Sequence, residues 1–173
     1  ILAGLNASLQ SQDKKSWYPE RDEAYIGVLI DDLITCGTQE PYRMFTSRAE
    51  YRLILREDNA DARLTPIAIN LGLIDEKRSE AFIKKMMHIK NEIKRLQITC
   101  VSPGTDKANL INKLLPKNIT RESNLFDFLK RPEMTYALLM TIPEFGPGLV
   151  DPISDEQVEI KAKYSGYIDR QQD

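Results

Sequence analysis

Four arginines stand between Arg43 and Arg56 against one carboxylate, Glu50, in a chain whose net charge is −2. A guanidinium offers a planar fork of N–H donors that meets a phosphate or carboxylate with two parallel hydrogen bonds. Arg43, Arg48, Arg52 and Arg56 are therefore candidate contacts to a polyanion. Tyr42 and Phe45 interleave with them, and an aromatic ring among cations can stack on an unpaired base. The mixture suits a nucleic acid, with phosphates on the arginines and a base on a ring. A second reading stands beside it: Glu57, Asp58 and Asp61 follow at once, and internal ion pairs would answer the same charges.

Other chemistry-bearing residues are sparser. Lys84, Lys85 and Lys90, with Lys94 and Arg95, are opposed only by Glu92. They form either a solvated basic face or an auxiliary RNA-backbone surface. Asp31 and Asp32 would suit acid–base work, but no second acid or metal-like spacing accompanies them, so a solvated helix face is expected. His88 has no partner at ligand spacing and is expected to be exposed. Cys36 and Cys100 form no CxxC pair and are expected to be reduced, buried thiols of a cytoplasmic protein. No GxGxxG or similar phosphate-cradling loop occurs. No catalytic, cofactor-binding or metal-binding residue is assigned.

The elements that must position these residues are mostly helical. Ser47 and Glu50 have the spacing of a capping box, which predicts a helix from about Arg48. Arg48, Arg52 and Arg56 then share one stripe roughly 80° wide at about 100° per residue. Like charges at this spacing repel, so the ridge needs an anionic answer. The alternation of Tyr51, Leu53 and Leu55 leaves a strand as the rival. Earlier in the chain, residues 1–9 read as an apolar helix, and 10–20 as a linker anchored by Trp17 and Tyr18. Asp22 is a candidate cap for a helix carrying Tyr25, Ile26, Leu29, Ile30 and Leu33, stopped at Gly37. Gly27 inside it predicts a close backbone approach.

Further on, Thr65-Pro66 opens a short helix that Gly72 ends. Asp75 caps a long helix from about Glu76 to Gln97. Phe82, Met86, Ile89, Ile93 and Leu96 recur on it with 4-3-4-3 spacing, a coiled-coil-like seam. That seam packs either within the domain or against a partner. Residues 106–119 are weakly helical. Leu125–Leu129 is a short apolar helix, and Pro132 begins another with Met134, Leu138 and Leu139. Ser154–Gln157 is a second capping box, and Gly166 allows a bend in the helix after it. The fold class is mainly α, with short orthogonal helices, one long seamed helix and little or no β-structure.

With 42% apolar and 29% charged residues, the composition is that of an ordinary globular protein. A pI near 5.6 argues against wholesale coating of nucleic acid, so any such contact is local. No apolar run reaches membrane-spanning length. The chain opens on Ile1 without Met, in mid-pattern, as an excised piece would.

The run Glu40–Asp61, preceded by Tyr25–Leu33, resembles the C-terminal half of the GidA/MnmG family. The likeness continues through Leu71–Asp75, Arg131–Tyr136, Glu156–Ile160 and Tyr164–Ile168. The resemblance implies the C-terminal part of an FAD-dependent enzyme that modifies the wobble uridine of tRNA to its 5-carboxymethylaminomethyl form. FAD would be bound by parts of the protein absent here, with NADH and methylenetetrahydrofolate as co-reactants. It further implies tRNA and an MnmE-type GTPase as partners, a homodimer, no membrane and a cytoplasmic location. On this reading residues 1–20 are the tail of the flavin-domain helix plus linker. Residues 21–97 are the arginine-rich segment with the long helix, and 98–173 a small bundle truncated at its C-terminus. The tRNA-facing residues expected are Tyr42, Arg43, Arg48, Arg52 and Arg56, with Lys84, Lys85 and Lys90 more weakly. The alternative is a protein-interaction module that docks the GTPase or a second copy without touching RNA. The region by itself is expected to be catalytically inert.

Overall fold

The computed structural model describes residues 1–149 and 151–172. The chain divides into two compact units, 1–67 and 68–173. The long helix therefore belongs with the C-terminal residues, not with the arginine-rich segment as the grouping 21–97 had it.

In the first unit, α1 (Leu2–Ser11) and α2 (Tyr25–Thr35) are the regular elements before the arginine-rich segment. The Asn6 side-chain amide joins α1 to the linker: it donates to the Trp17 carbonyl at 2.9 Å and accepts the Trp17 N–H at 2.7 Å. At Gly27 a Cβ would lie 2.6 Å from the Pro19 carbonyl oxygen and closer still to that of Glu20. The close approach expected from the sequence is thus what brings the linker onto α2. Gly37 has φ +66°, a left-handed stop that suits glycine. The N-cap of α2 is Ala24, without a side-chain cap, not Asp22.

The helix expected from Arg48 does not form, and neither does a strand. A single 3-10 turn, Thr46–Arg48, gives way to extended Ala49 and then to successive turns through Ile54. Glu50, the far half of the expected capping box, is drawn instead to Arg21. Tertiary contacts outrank the local signal: Ala49 and Leu55 are buried, and three arginines no longer stack at i, i+4. Next, α3 (Ala60–Asn70) begins a turn and a half before Thr65, with Pro66 inside it.

The second unit is built on α4 (Glu76–Ile98), capped as expected by Asp75, whose carboxylate accepts the Arg78 N–H at 2.8 Å. Its seam turns inward. Ile89 and Leu96 are in the core, with Met86 and Ile93 packed on it. After α4 comes β1 (Cys100–Val101), and the segment 106–119, which read as weakly helical, is helical over α5 (Asp106–Asn112). Strand β1 pairs antiparallel with β2 (Ser123–Asn124), with Val101 opposite Ser123. Helices α6 (Leu125–Leu129) and α7 (Tyr136–Met140) follow, the second starting after Thr135 and not at Pro132. The last helix, α8 (Pro152–Gln172), runs through Gly166 as one element. Its first turn is capped by Asp151, which takes the Ser154 N–H and hydroxyl, so the box expected at Ser154 lies inside the helix. Helix α4 packs on α6 and α8. Phe128, Leu129, Met134, Leu139, Phe145 and Val158 fill the core between them, all at 0% exposure.

Candidate nucleic-acid interface

The arginines of the first unit fall into two sets. Arg21, not singled out by spacing, is saturated. A guanidinium has five N–H donors, and each has an acceptor here. Nε donates to Glu50 Oε1 at 2.7 Å, and Nη1 to Asp31 Oδ2 and Asp32 Oδ1 at 2.8 Å each. Nη2 donates to Glu50 Oε2 at 2.9 Å and to the Arg48 carbonyl at 3.2 Å. Asp31 and Asp32 are therefore not a bare solvated face; they hold this guanidinium. Arg21 hydrogen bonding keeps Glu50 below the usual carboxylate range. The Tyr42 hydroxyl, followed by Arg21, does the same for Asp32. The hydrogen bond to Asp32 in turn raises the Tyr42 phenol.

Arg56 and Arg63 are also committed internally. Arg56 makes a fork onto Asp58, at 2.8 and 3.0 Å, and donates to the Leu53 carbonyl. Arg63 reaches the Glu23 carbonyl, Asn59 Oδ1 and the Arg56 carbonyl, and burial lowers its pKa. Together they fasten the turns 53–59 to the chain before α2.

Arg43, Arg48 and Arg52 form the other set. All three are exposed. Arg43 lies over the Phe45 ring, 5.1 Å from its centroid. Arg48 lies over Tyr42 at 5.4 Å, with Asp32 Oδ2 3.7 Å from Nη1. The side chain of Arg52 has no hydrogen bond or ion pair among the described residues. Tyr42 donates its hydroxyl to Asp32 at 2.7 Å and carries Arg48 on its ring, so it is half-buried and occupied. Phe45 carries Arg43 over its ring yet stays 47% exposed, the more accessible of the two rings.

The lysines are carried by the second unit. Lys84 and Lys90 are exposed on α4, and Lys85 is half-buried. His88 is exposed as expected. Glu92, which read as one opposing surface charge, is buried. It accepts from Arg95 at 2.6 and 2.8 Å and from the Tyr136 hydroxyl at 2.7 Å. Burial alone would raise its pKa; Arg95 and Tyr136 outweigh that and hold it low. Both cysteines are free, and both are exposed, contrary to the buried thiols expected. Leu33 and Ile34 precede Cys36, and Ile98 and Val101 flank Cys100, so the apolar neighbours gave no signal of exposure.

These features define a small, mainly helical domain joined to a unit whose arginine-rich segment is a run of irregular turns. Residues 76–172 match the family model for the tRNA modifying enzyme MnmG/GidA C-terminal helical domain. The form II crystal structure of GidA from Aquifex aeolicus matches with TM-score 0.82 and 34% identity over 98% of this chain and 26% of that one. The form I crystal matches with TM-score 0.79 and 33% identity, over 98% and 25% of the two chains. The chain belongs to the MnmG/GidA family of tRNA-modifying enzymes. It spans about a quarter of the length of the solved chains it matches. No helix among the described residues is long and apolar enough to cross a membrane.

Proposed function

We propose that this chain is the tRNA-docking region of a flavoenzyme that builds the 5-carboxymethylaminomethyl group on the wobble uridine. The carrying observation is the division among the arginines. Arg21, Arg56 and Arg63 are internally paired, whereas Arg43, Arg48 and Arg52 are exposed, with Arg43 over the Phe45 ring and Arg48 over that of Tyr42. Guanidinium forks on phosphates and a ring on an unpaired base are the physics of such docking. On this reading Arg56 is scaffold and Tyr42 positions Arg48. Lys84, Lys85 and Lys90 are an auxiliary surface.

The chemistry itself belongs to other parts of the enzyme. Where a Cβ at a glycine would be crowded (Gly27, Gly146 and Gly148), the obstructing atoms are this chain's own backbone or side chains. That is close packing, not a cradle for a flavin pyrophosphate, so these residues do not fit an FAD site. On this reading FAD, NADH and methylenetetrahydrofolate serve the whole enzyme, which is a cytoplasmic homodimer with an MnmE-type GTPase as partner, as the resemblance implies. The seam of α4 is taken up by the core over Met86, Ile89, Ile93 and Leu96. On this reading a second copy or the GTPase docks on a face other than those four residues.

The test is an anisotropy titration with unmodified wobble-uridine tRNA across a salt series. The Arg43/Arg48/Arg52→Ala variant is expected to reduce the slope of log K on log salt by about two to three, roughly one counterion per lost phosphate contact. Wild-type affinity and slope in a folded triple variant would overturn the reading.

A further inference from the structure

The second unit holds a polar cleft that the reading above does not use. Its volume is about 450 Å³, and it is lined by Arg121, Glu122, Ser123, Asp127, Lys130 and Arg131. The pairing of β2 with β1 fixes Ser123, and α6 carries Asp127 just after it. Three cations face two carboxylates, and both carboxylates are engaged. Asp127 Oδ1 lies 2.8 Å from Lys130 Nζ, and Glu122 accepts the Ser102 hydroxyl.

The two arginines differ from the rest. Neither Arg121 nor Arg131 has a side-chain hydrogen bond or ion pair among the described residues. The Arg131 guanidinium lies over the ring of Phe128, 5.2 Å from its centroid, and Phe128 is at 0% exposure. The buried ring fixes where the guanidinium sits, and its donors stay unclaimed. A preset guanidinium beside a second unpaired one is a receptor for a tetrahedral oxyanion. The surplus of one positive charge matches the single charge of a phosphodiester.

We propose that this cleft takes a backbone phosphate of tRNA between Arg121 and Arg131, a docking point separate in residues from Arg43, Arg48 and Arg52. The proposal rests on the chain's being tRNA-facing, and the same titration of the full chain separates the two ideas. Arg121/Arg131→Ala is expected to lower the salt slope by about two, and Arg121→Ala alone by about one. Arg131→Lys keeps the charge but not the fork, so it should retain the slope while weakening affinity. Arg121 is exposed, so its single variant remains informative if loss of the Phe128 stack unfolds the double one. An Arg121→Ala slope equal to wild type, with the melting temperature kept, overturns the cleft. An acidic protein as the occupant would give that result. Wild-type protein that binds no tRNA defeats both ideas. Binding that depends on Arg43, Arg48 and Arg52 but not on Arg121 or Arg131 defeats the cleft alone.

Discussion

Tyr136 shows how a single buried hydroxyl can join distant stretches of chain. It donates to Glu92 Oε1 on α4 and accepts the Leu149 N–H at 3.0 Å, while its own N–H donates to Glu159 Oε2 on α8. Burial, then the bond to Glu92, drives its phenol pKa upward. Tyr136→Phe keeps the ring and removes only the hydroxyl. It leaves the buried Glu92 one donor short and Leu149 without its acceptor, at a cost of about 1–3 kcal/mol. Chemical denaturation should show that loss, with a normal m-value if the fold is retained. A change well under that range would mean that water replaces the hydroxyl.

At the scale of elements, Gly27 sets two effects against each other. Alanine has the higher helix propensity, by about 1 kcal/mol. Against that, its methyl group would press on the Pro19 and Glu20 carbonyls, which are backbone and cannot rotate away. Overpacking of this kind costs about 1–3 kcal/mol, so Gly27→Ala should destabilise the first unit overall. A variant as stable as wild type would show that the linker yields without cost. This glycine was legible in the sequence, as were the Asp75 cap, the α4 seam and the short apolar helix α6. Each depends on neighbours within a few turns of chain. The segment 48–56 was not legible, because its conformation is decided by Arg21, which lies 29 residues from Glu50 in sequence. The candidate site was readable by residue type, but which arginines stay open was not. Asp58 follows Arg56 by two residues, yet nothing local marks Arg21 as the partner of Asp31 and Asp32.

For the molecule as a whole, acid is the discriminating variable. Asp32 and Glu50 in the first unit, and Glu92 and Asp151 in the second, have pKa values lowered from 3.8, 4.5, 4.5 and 3.8. Each contributes stability that is fully present above those values and is lost as pH falls through the lower folded ones. Asp155 runs the other way. Burial, with Asp151 and Glu92 nearby, raises it, so its burden on the second unit is relieved as pH falls through its raised value. The first unit has no such opposing group among the shifted residues. Below about pH 4, hydrogen exchange should therefore speed up in 46–55 before it does in α4, an order that simultaneous loss would refute. The grip of Asn6 on Trp17 makes the first half of this order visible by eye of a fluorimeter. Trp17 is the chain's one tryptophan, and it belongs to the first unit alone. Its emission is thus a built-in optical label: with tryptophan-selective excitation, a red shift on acidification reports opening of the first unit, and the second unit, which holds tyrosines but no tryptophan, does not contribute.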